Sequence, residues 1–296
     1  MRTIAIMNNK GGVGKTVTAI NLADILASDY KQRVVLIDCD GQANLTNFFL
    51  PGIDVDTTTT ADVLTGDCEP VWSDSLLPLR KNIRLLPSSS GLYDLDLQAI
   101  KDGISAPENL RHFVEAAAED GEADWMIFDC PPGYTLASVA ALLAADEVII
   151  PVMADKFSLD GVMAVAQQAR KLSGVNPGLR VRALLTQTSR SDVVTEAEKA
   201  LDTMHVQTFR TKIRRTEKVP ESTLSLRPLR EYSPRSSAAM DYRTLAGELR
   251  RRDEHDGKEF RHFQVCIHHQ ARARFGYGVD RTGGHLPESE EFLPEA

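Results

Sequence analysis

The chain is 296 residues long and carries 34 Lys and Arg against 42 Asp and Glu, a net charge of −8. That length admits one large domain or two small ones with a sizeable core; the acidic balance argues against indiscriminate nucleic-acid binding but leaves room for a local basic patch. Cys39, Cys68, Cys130 and Cys266 are widely spaced and no run approaches the ~18 apolar residues of a membrane helix, so the expectation is a cytoplasmic protein with reduced thiols, no signal peptide, no zinc site and no disulfide framework.

Short β-rich runs alternate with helical patterns almost to residue 250. Strands are expected near 3–7, 33–37, 83–86, 125–128, 147–151 and 181–185, and helices near 16–28, 92–101, 107–118, 135–144, 159–172 and 192–203, with a last helix over 236–251. Continuous apolar strands such as Val34-Val35-Leu36-Ile37 suit a sheet covered on both faces. The alternation implies right-handed crossovers and an α/β fold, a doubly wound and mostly parallel sheet with helices on both faces. Residues 1–252 read as one domain. Residues 253–296 form an acidic tail of low periodicity, nine acids against five Lys and Arg, which is expected to be disordered. A partner-docking segment is the competing reading of that tail. Histidines 255, 262, 268 and 269 within it lack metal-site spacing, and Phe260, Phe263 and Ile267 make a poor membrane anchor.

The first strand runs directly into Asn8-Asn9-Lys10-Gly11-Gly12-Val13-Gly14-Lys15-Thr16-Val17 and then a helix. A strand, a glycine-rich turn and a helix form a phosphate cradle, because glycines without a Cβ let backbone N–H groups approach the anion. Lys15 is placed to reach the β- and γ-phosphates and the Thr16 hydroxyl to hold Mg²⁺. Asn9 stands where the strict P-loop pattern has glycine, and Lys10 adds a second lysine inside the loop. The bland alternative is a turn with two solvated lysines. The second strand ends in Asp38-Cys39-Asp40-Gly41-Gln42-Ala43-Asn44, and carboxylates at that end face the ligand crevice of an open parallel sheet; helix capping is the competing role. The run 125–128, four apolar residues followed by Asp129-Cys130-Pro131-Pro132, has the Walker B arrangement, a buried strand carrying one carboxylate to magnesium. Against the acidic average stands one basic run, Arg210, Lys212, Arg214, Arg215 and Lys218.

The form Lys-Gly-Gly-Val-Gly-Lys-Thr resembles the deviant Walker A box of the ParA/MinD ATPases, and the likeness extends through Asp38 to Asn44, Asp129 to Pro132 and Tyr232 to Ala238 over about residues 1–250. The resemblance implies ATP and Mg²⁺ as cofactors and an ATP-sandwich homodimer in which Lys10 reaches the nucleotide of the other subunit. It also implies a slow ATPase stimulated by a ParB-like centromere-binding partner, partitioning DNA or another cargo. Catalytic roles then fall to Lys10, Lys15 and Asp40, with Asp40 positioning or activating the attacking water. Nucleotide binding falls to residues 10–17, including Gly11, Gly12, Val13, Gly14 and Val17. The base is expected near Thr186, Gln187 and a later proline loop at Val219-Pro220-Glu221, and the metal shell at Thr16, Asp38 and Asp129. Gly41 replaces the family's proline, which loosens the expectation about hydrolysis. The family's non-specific DNA contacts correspond here to Arg190, Arg210, Lys212, Arg214 and Arg215, against a solvated basic surface as the plain alternative. The implied location is cytoplasmic, nucleoid-associated when ATP is bound, with no stable membrane association. Two rivals remain, a MinD-like membrane-cycling positioning ATPase and an ATP-gated DNA-binding regulator with negligible hydrolysis; a generic metabolic kinase is a third.

Overall fold

The computed structural model describes residues 1–53, 57–67, 72–102 and 107–251. Residues Met1–Arg250 form one compact unit; the chain's second unit, Arg251–Ala296, lies outside the described residues apart from Arg251, and so does the expected disorder of 253–296.

Eight strands build one sheet, β1 (Arg2–Ile6), β2 (Val34–Asp38), β3 (Leu77–Arg80), β4 (Ile83–Leu86), β5 (Trp125–Asp129), β6 (Glu147–Val152), β7 (Arg180–Leu185) and β8 (Gln207–Thr208). Their order is β3-β4-β2-β5-β1-β6-β7-β8. All neighbours are parallel except β3 with β4, so the doubly wound α/β expectation holds. Strand β1 sits between β5 and β6, and Ile6 pairs with Asp129 while Asp38 pairs with that same residue from the other side. The carboxyl ends of β1, β2 and β5 are therefore level.

Alternation along each strand divides the core in two. Ala5, Val35, Ile37, Met126 and Phe128 pack on one face against α3 (Thr60–Thr65), α5 (Glu108–Asp120), α6 (Leu136–Ala144), α7 (Lys156–Lys171) and α8 (Asp192–Thr203). Ile4, Ile6, Leu36, Trp125 and Ile127 pack on the other against α1 (Lys15–Ser28), α2 (Asn44–Phe49) and α11 (Ser237–Arg251). Strands buried on both faces need apolar residues at every position, which is why they read as continuous runs.

The remaining α-helices are α4 (Gly91–Asp102), α9 (Lys218–Leu224) and α10 (Leu229–Tyr232). Four short helices (α2, α3, α9 and α10) and two strands (β3 and β8) lie outside the sequence expectation. Each has seven residues or fewer, too few to show a period of 3.6 or 2. The run holding Asp129 is consequently the fifth strand of the chain, and Pro220 sits in the first turn of α9 rather than in a loop. Proline is tolerated there because a first-turn N–H has no intrahelical partner anyway.

Candidate functional site

Between β1 and α1 the chain turns through Gly12 at φ +75° and Gly14 at φ +93°, a left-handed geometry that glycine adopts without steric cost. Gly14 caps α1 with no side-chain hydrogen bond. The first N–H groups of that helix are thus left to a ligand, and the positive end of the helix dipole favours an anion. Lys15 is buried and its Nζ donates to the Lys10 carbonyl at 3.2 Å. Burial lowers its pKa, opposed by the charges of Asp129, Cys130 and Asp40.

The two strand-end carboxylates differ in what holds them. Asp38 is consumed by its own loop: Oδ1 accepts from Asp40 N at 3.1 Å, while Oδ2 accepts from Thr46 N at 2.8 Å and Thr46 Oγ1 at 2.7 Å. Burial raises its pKa to about 6 against the opposing hydrogen bonds from Thr46 and Asp40. Asp129 is buried, and its Oδ1 has no hydrogen-bond partner among the described residues. Burial first, and the neighbouring Asp38 charge second, push the Asp129 pKa well above the carboxylate range, with Thr16 and Lys15 pulling it down. An orphaned buried acceptor beside a hydroxyl and an ammonium is the environment a hard cation relieves. No group of three or more His, Cys, Asp or Glu able to hold a metal occurs among the described residues. A cation at Asp129 would therefore complete its shell with phosphate oxygens and water, as Mg²⁺ does.

Asp40 is less buried, on the loop after β2, where its Oδ1 accepts from Gln42 N at 3.0 Å and its carbonyl from Ser88 Oγ at 2.7 Å. At Gly41 an added Cβ would lie 2.8–3.0 Å from the ring of Tyr93. The ring on α4 fills the space that a proline would need, so the glycine at this position is matched by an aromatic neighbour.

Lys10 turns away from its own cradle. Its Nζ donates to Asp155 Oδ1 at 2.8 Å, Asp155 Oδ2 at 2.9 Å and Ser158 Oγ at 3.0 Å. Asp155 caps α7, accepting from Ser158 N at 3.0 Å. Partial burial acts to raise the Asp155 pKa, but the hydrogen bonds from Lys10 and Ser158 hold it below the usual value. Gly161 lets α7 come this close: a Cβ there would sit 2.5 Å from Asn8 Oδ1. The Asp-x-x-Ser spacing of 155–158 is a helix-start signature in the sequence; that it faces Lys10 is not legible there.

Beside the loop opens a cavity of about 350 Å³ walled by Gly12, Val17, Thr186, Gln187, Pro220 and Tyr242. It brings together the residues expected around a nucleotide base, and adds Tyr242 from α11, which no motif indicated. A wider groove of about 890 Å³ is lined by Arg190, Arg210, Lys212, Arg214 and Arg215. These five basic side chains share one depression, but they are not equivalent. Arg214 is clamped by Asp241, with Nη2 to Oδ1 at 2.6 Å, and Lys212 pairs with Glu198 at 2.6 Å. Arg190, Arg210 and Arg215 are exposed and make no ion pair among the described residues. Lys218, from the same run, pairs with Glu221 on α9. No helix among the described residues is long and apolar enough to cross a membrane.

A family model described as an AAA domain matches residues 1–181. The chromosome partitioning protein ParA of Caulobacter vibrioides is 30% identical over 253 residues, spanning 84% of this chain and 94% of that protein. Among solved structures, the septum site-determining protein MinD complexed with Mg-ADP from Pyrococcus horikoshii is 28% identical with a TM-score of 0.68, covering 84% of this chain and 96% of that one. A cobyrinic acid a,c-diamide synthase from Mycobacterium smegmatis with bound ATP analog and magnesium is 27% identical with a TM-score of 0.71, covering 87% and 98%.

Proposed function

The chain belongs to the ParA/MinD family of P-loop ATPases, and from that premise we propose that it is a Mg²⁺-ATP-dependent dimerising switch that binds DNA without sequence preference. In this reading it partitions or positions DNA or another cargo, and a ParB-like partner stimulates slow hydrolysis that resets it. It works in the cytoplasm, on the nucleoid when ATP is bound.

The observation that carries the reading is Lys10. A P-loop lysine whose ammonium rests on α7 and not in its own cradle is available to leave Asp155 for a second protomer. Its side chain is one third exposed, so that exchange needs no opening of the core. Lys15 and the N-terminus of α1 would hold the phosphates. Thr16 and the unpartnered Asp129 oxygen would hold magnesium, which supplies neutralisation of the phosphate charge when bound. Asp38 ties Asp40 and Thr46 together and would serve the metal shell by positioning Asp40, with only Oδ1, which accepts a single bond, left to face a cation. Asp40 would hold the attacking water, and Lys10 of the second protomer would stabilise charge developing on the phosphates, as an arginine finger does. Two copies of the basic groove on one dimer would sum their phosphate contacts.

The test is the mass of the particle. Asp40→Ala protein with Mg-ATP should run as a dimer by light scattering and retain DNA, whereas Asp40→Ala with Lys10→Ala should remain monomeric. A monomer in both cases removes the sandwich reading.

A further inference from the structure

The turn that carries Asp40 is held by a hydroxyl and by a ring, both supplied from the chain that follows β4. Ala43 N–H donates to the Asp40 carbonyl at 2.8 Å, closing a β-turn with Gly41 at its second position, and Gln42 N–H donates to Asp40 Oδ1 at 3.0 Å. Asp40 Oδ2 accepts no hydrogen bond among the described residues. Ser88 Oγ donates to the Asp40 carbonyl at 2.7 Å. A little further along, in the first turn of α4, Tyr93 lays its ring against Gly41.

The backbone at Gly41 does not itself ask for glycine. The residue does not take a left-handed conformation, and the second position of an ordinary β-turn favours proline, whose ring pre-sets φ. The demand comes from Tyr93: a Cβ at residue 41 would lie 2.8 Å from Tyr93 Cζ and 2.9 Å from Cε2. Glycine and ring are therefore a matched pair, in which an aromatic wall limits the freedom that glycine gives the turn. The ring is 46% exposed, so the contact adds little to stability and acts on how far the turn can move. The same helix reaches the magnesium side of the site. Asp96, about one turn beyond Tyr93, accepts from Leu136 N–H at 2.8 Å at the start of α6. Helix α4 thus bears on the turn after β2 through Tyr93 and on the segment after β5, which carries Asp129, through Asp96.

We propose that Tyr93 is a positioning residue for ATP hydrolysis: its ring confines the glycine turn so that the Asp40 carboxylate stays where it orients water against the terminal phosphate. The inference rests on the reading of Asp40 as the group that holds the attacking water. In this role Tyr93 touches neither nucleotide nor water and acts through Gly41. Loss of the ring widens the turn, and the carboxylate then spends less time in the productive arrangement; a displacement of about 1 Å is enough to slow a reaction strongly. Nucleotide affinity, carried by the phosphate loop and the N-terminus of α1, does not depend on the ring.

The experiment follows single-turnover hydrolysis of γ-labelled ATP by an excess of the full chain with magnesium and duplex DNA. Affinity for a non-hydrolysable ATP analogue is read beside it by calorimetry. Tyr93→Ala should lower the hydrolysis rate constant by about tenfold and leave analogue affinity within about twofold. Tyr93→Phe keeps the ring and should recover most of the rate. Gly41→Pro placed in the Tyr93→Ala protein should recover it too, because proline narrows the turn in the space that the ring has left. A merely structural role for Tyr93 would give no such rescue. An unchanged rate in Tyr93→Ala, a loss that Gly41→Pro does not restore, or an equal loss of rate and analogue affinity would each overturn the inference. Asp40→Ala separates it from the reading beneath it. Normal hydrolysis by Asp40→Ala removes Asp40 from catalysis and the inference with it, whereas a loss there with none in Tyr93→Ala strikes the role of Tyr93 alone. No hydrolysis by the unsubstituted chain would remove both. Should Tyr93→Ala fail to fold, Tyr93→Gln, a helix former without a ring, carries the same comparison.

Discussion

At the carboxyl ends of β1, β2 and β5, Lys15, Asp38 and Asp129 are each 9% exposed or less, whereas Arg190, Arg210 and Arg215 line a groove open to solvent. Both regions concentrate charge, under opposite solvent conditions. In the buried cluster each charge is desolvated and oriented, so a single group dominates its neighbours. In the groove, water and salt screen each cation, Asp241 and Glu198 already neutralise two of them, and only the summed potential matters. Single substitutions should therefore act strongly in the first region and weakly in the second.

Four experiments press on that contrast. The largest effect is expected from Lys15→Ala. Removing a desolvated charge contact costs about 2–5 kcal/mol, so ATP affinity by calorimetry should fall on the order of a hundredfold; an unchanged affinity would erase the distinction between the regions. Next comes proton release. Asp38, with a pKa raised to about 6, and Asp129, whose pKa burial also raises, hold protons more tightly in the ligand-free protein than an ordinary carboxyl does. A cation favours the charged form, so Mg-nucleotide binding should expel more protons at pH 6 than at pH 8. Calorimetry in buffers of different ionisation enthalpy reads this directly, and Asp129→Asn should diminish it.

A smaller effect is expected in the groove. Arg190→Glu with Arg215→Glu should weaken DNA binding several-fold and reduce the salt slope by roughly two, while dimerisation on ATP persists. Arg214→Glu is a poorer probe, since it would set a carboxylate against Asp241. The smallest effect is expected from Gly41→Ala. The new Cβ would press on the Tyr93 ring, but that ring is 46% exposed and free to swing, so thermal unfolding should shift by less than about 1 kcal/mol. A larger loss would show that the Tyr93 contact holds the Asp40 loop rigidly.

The contrast also separates what could be read from residues alone. Strands such as 34–37 and 125–128 were legible because burial on both faces demands unbroken apolar runs, and the phosphate loop was legible because its glycines and lysine act through backbone geometry at fixed spacing. In both cases the cause lies within a few consecutive residues. The partners of those groups were not legible. Asp155 lies 145 positions from Lys10, Tyr93 meets Gly41 from another helix, and Tyr242 reaches Thr18 across most of the chain. Such pairings arise from helix packing over a twisted sheet, where the approach of α7 at Gly161 or α11 against α1 depends on every layer between them. Composition and spacing thus named the groups that carry charge in this protein, while packing selected which of them are paired and which are left without a partner.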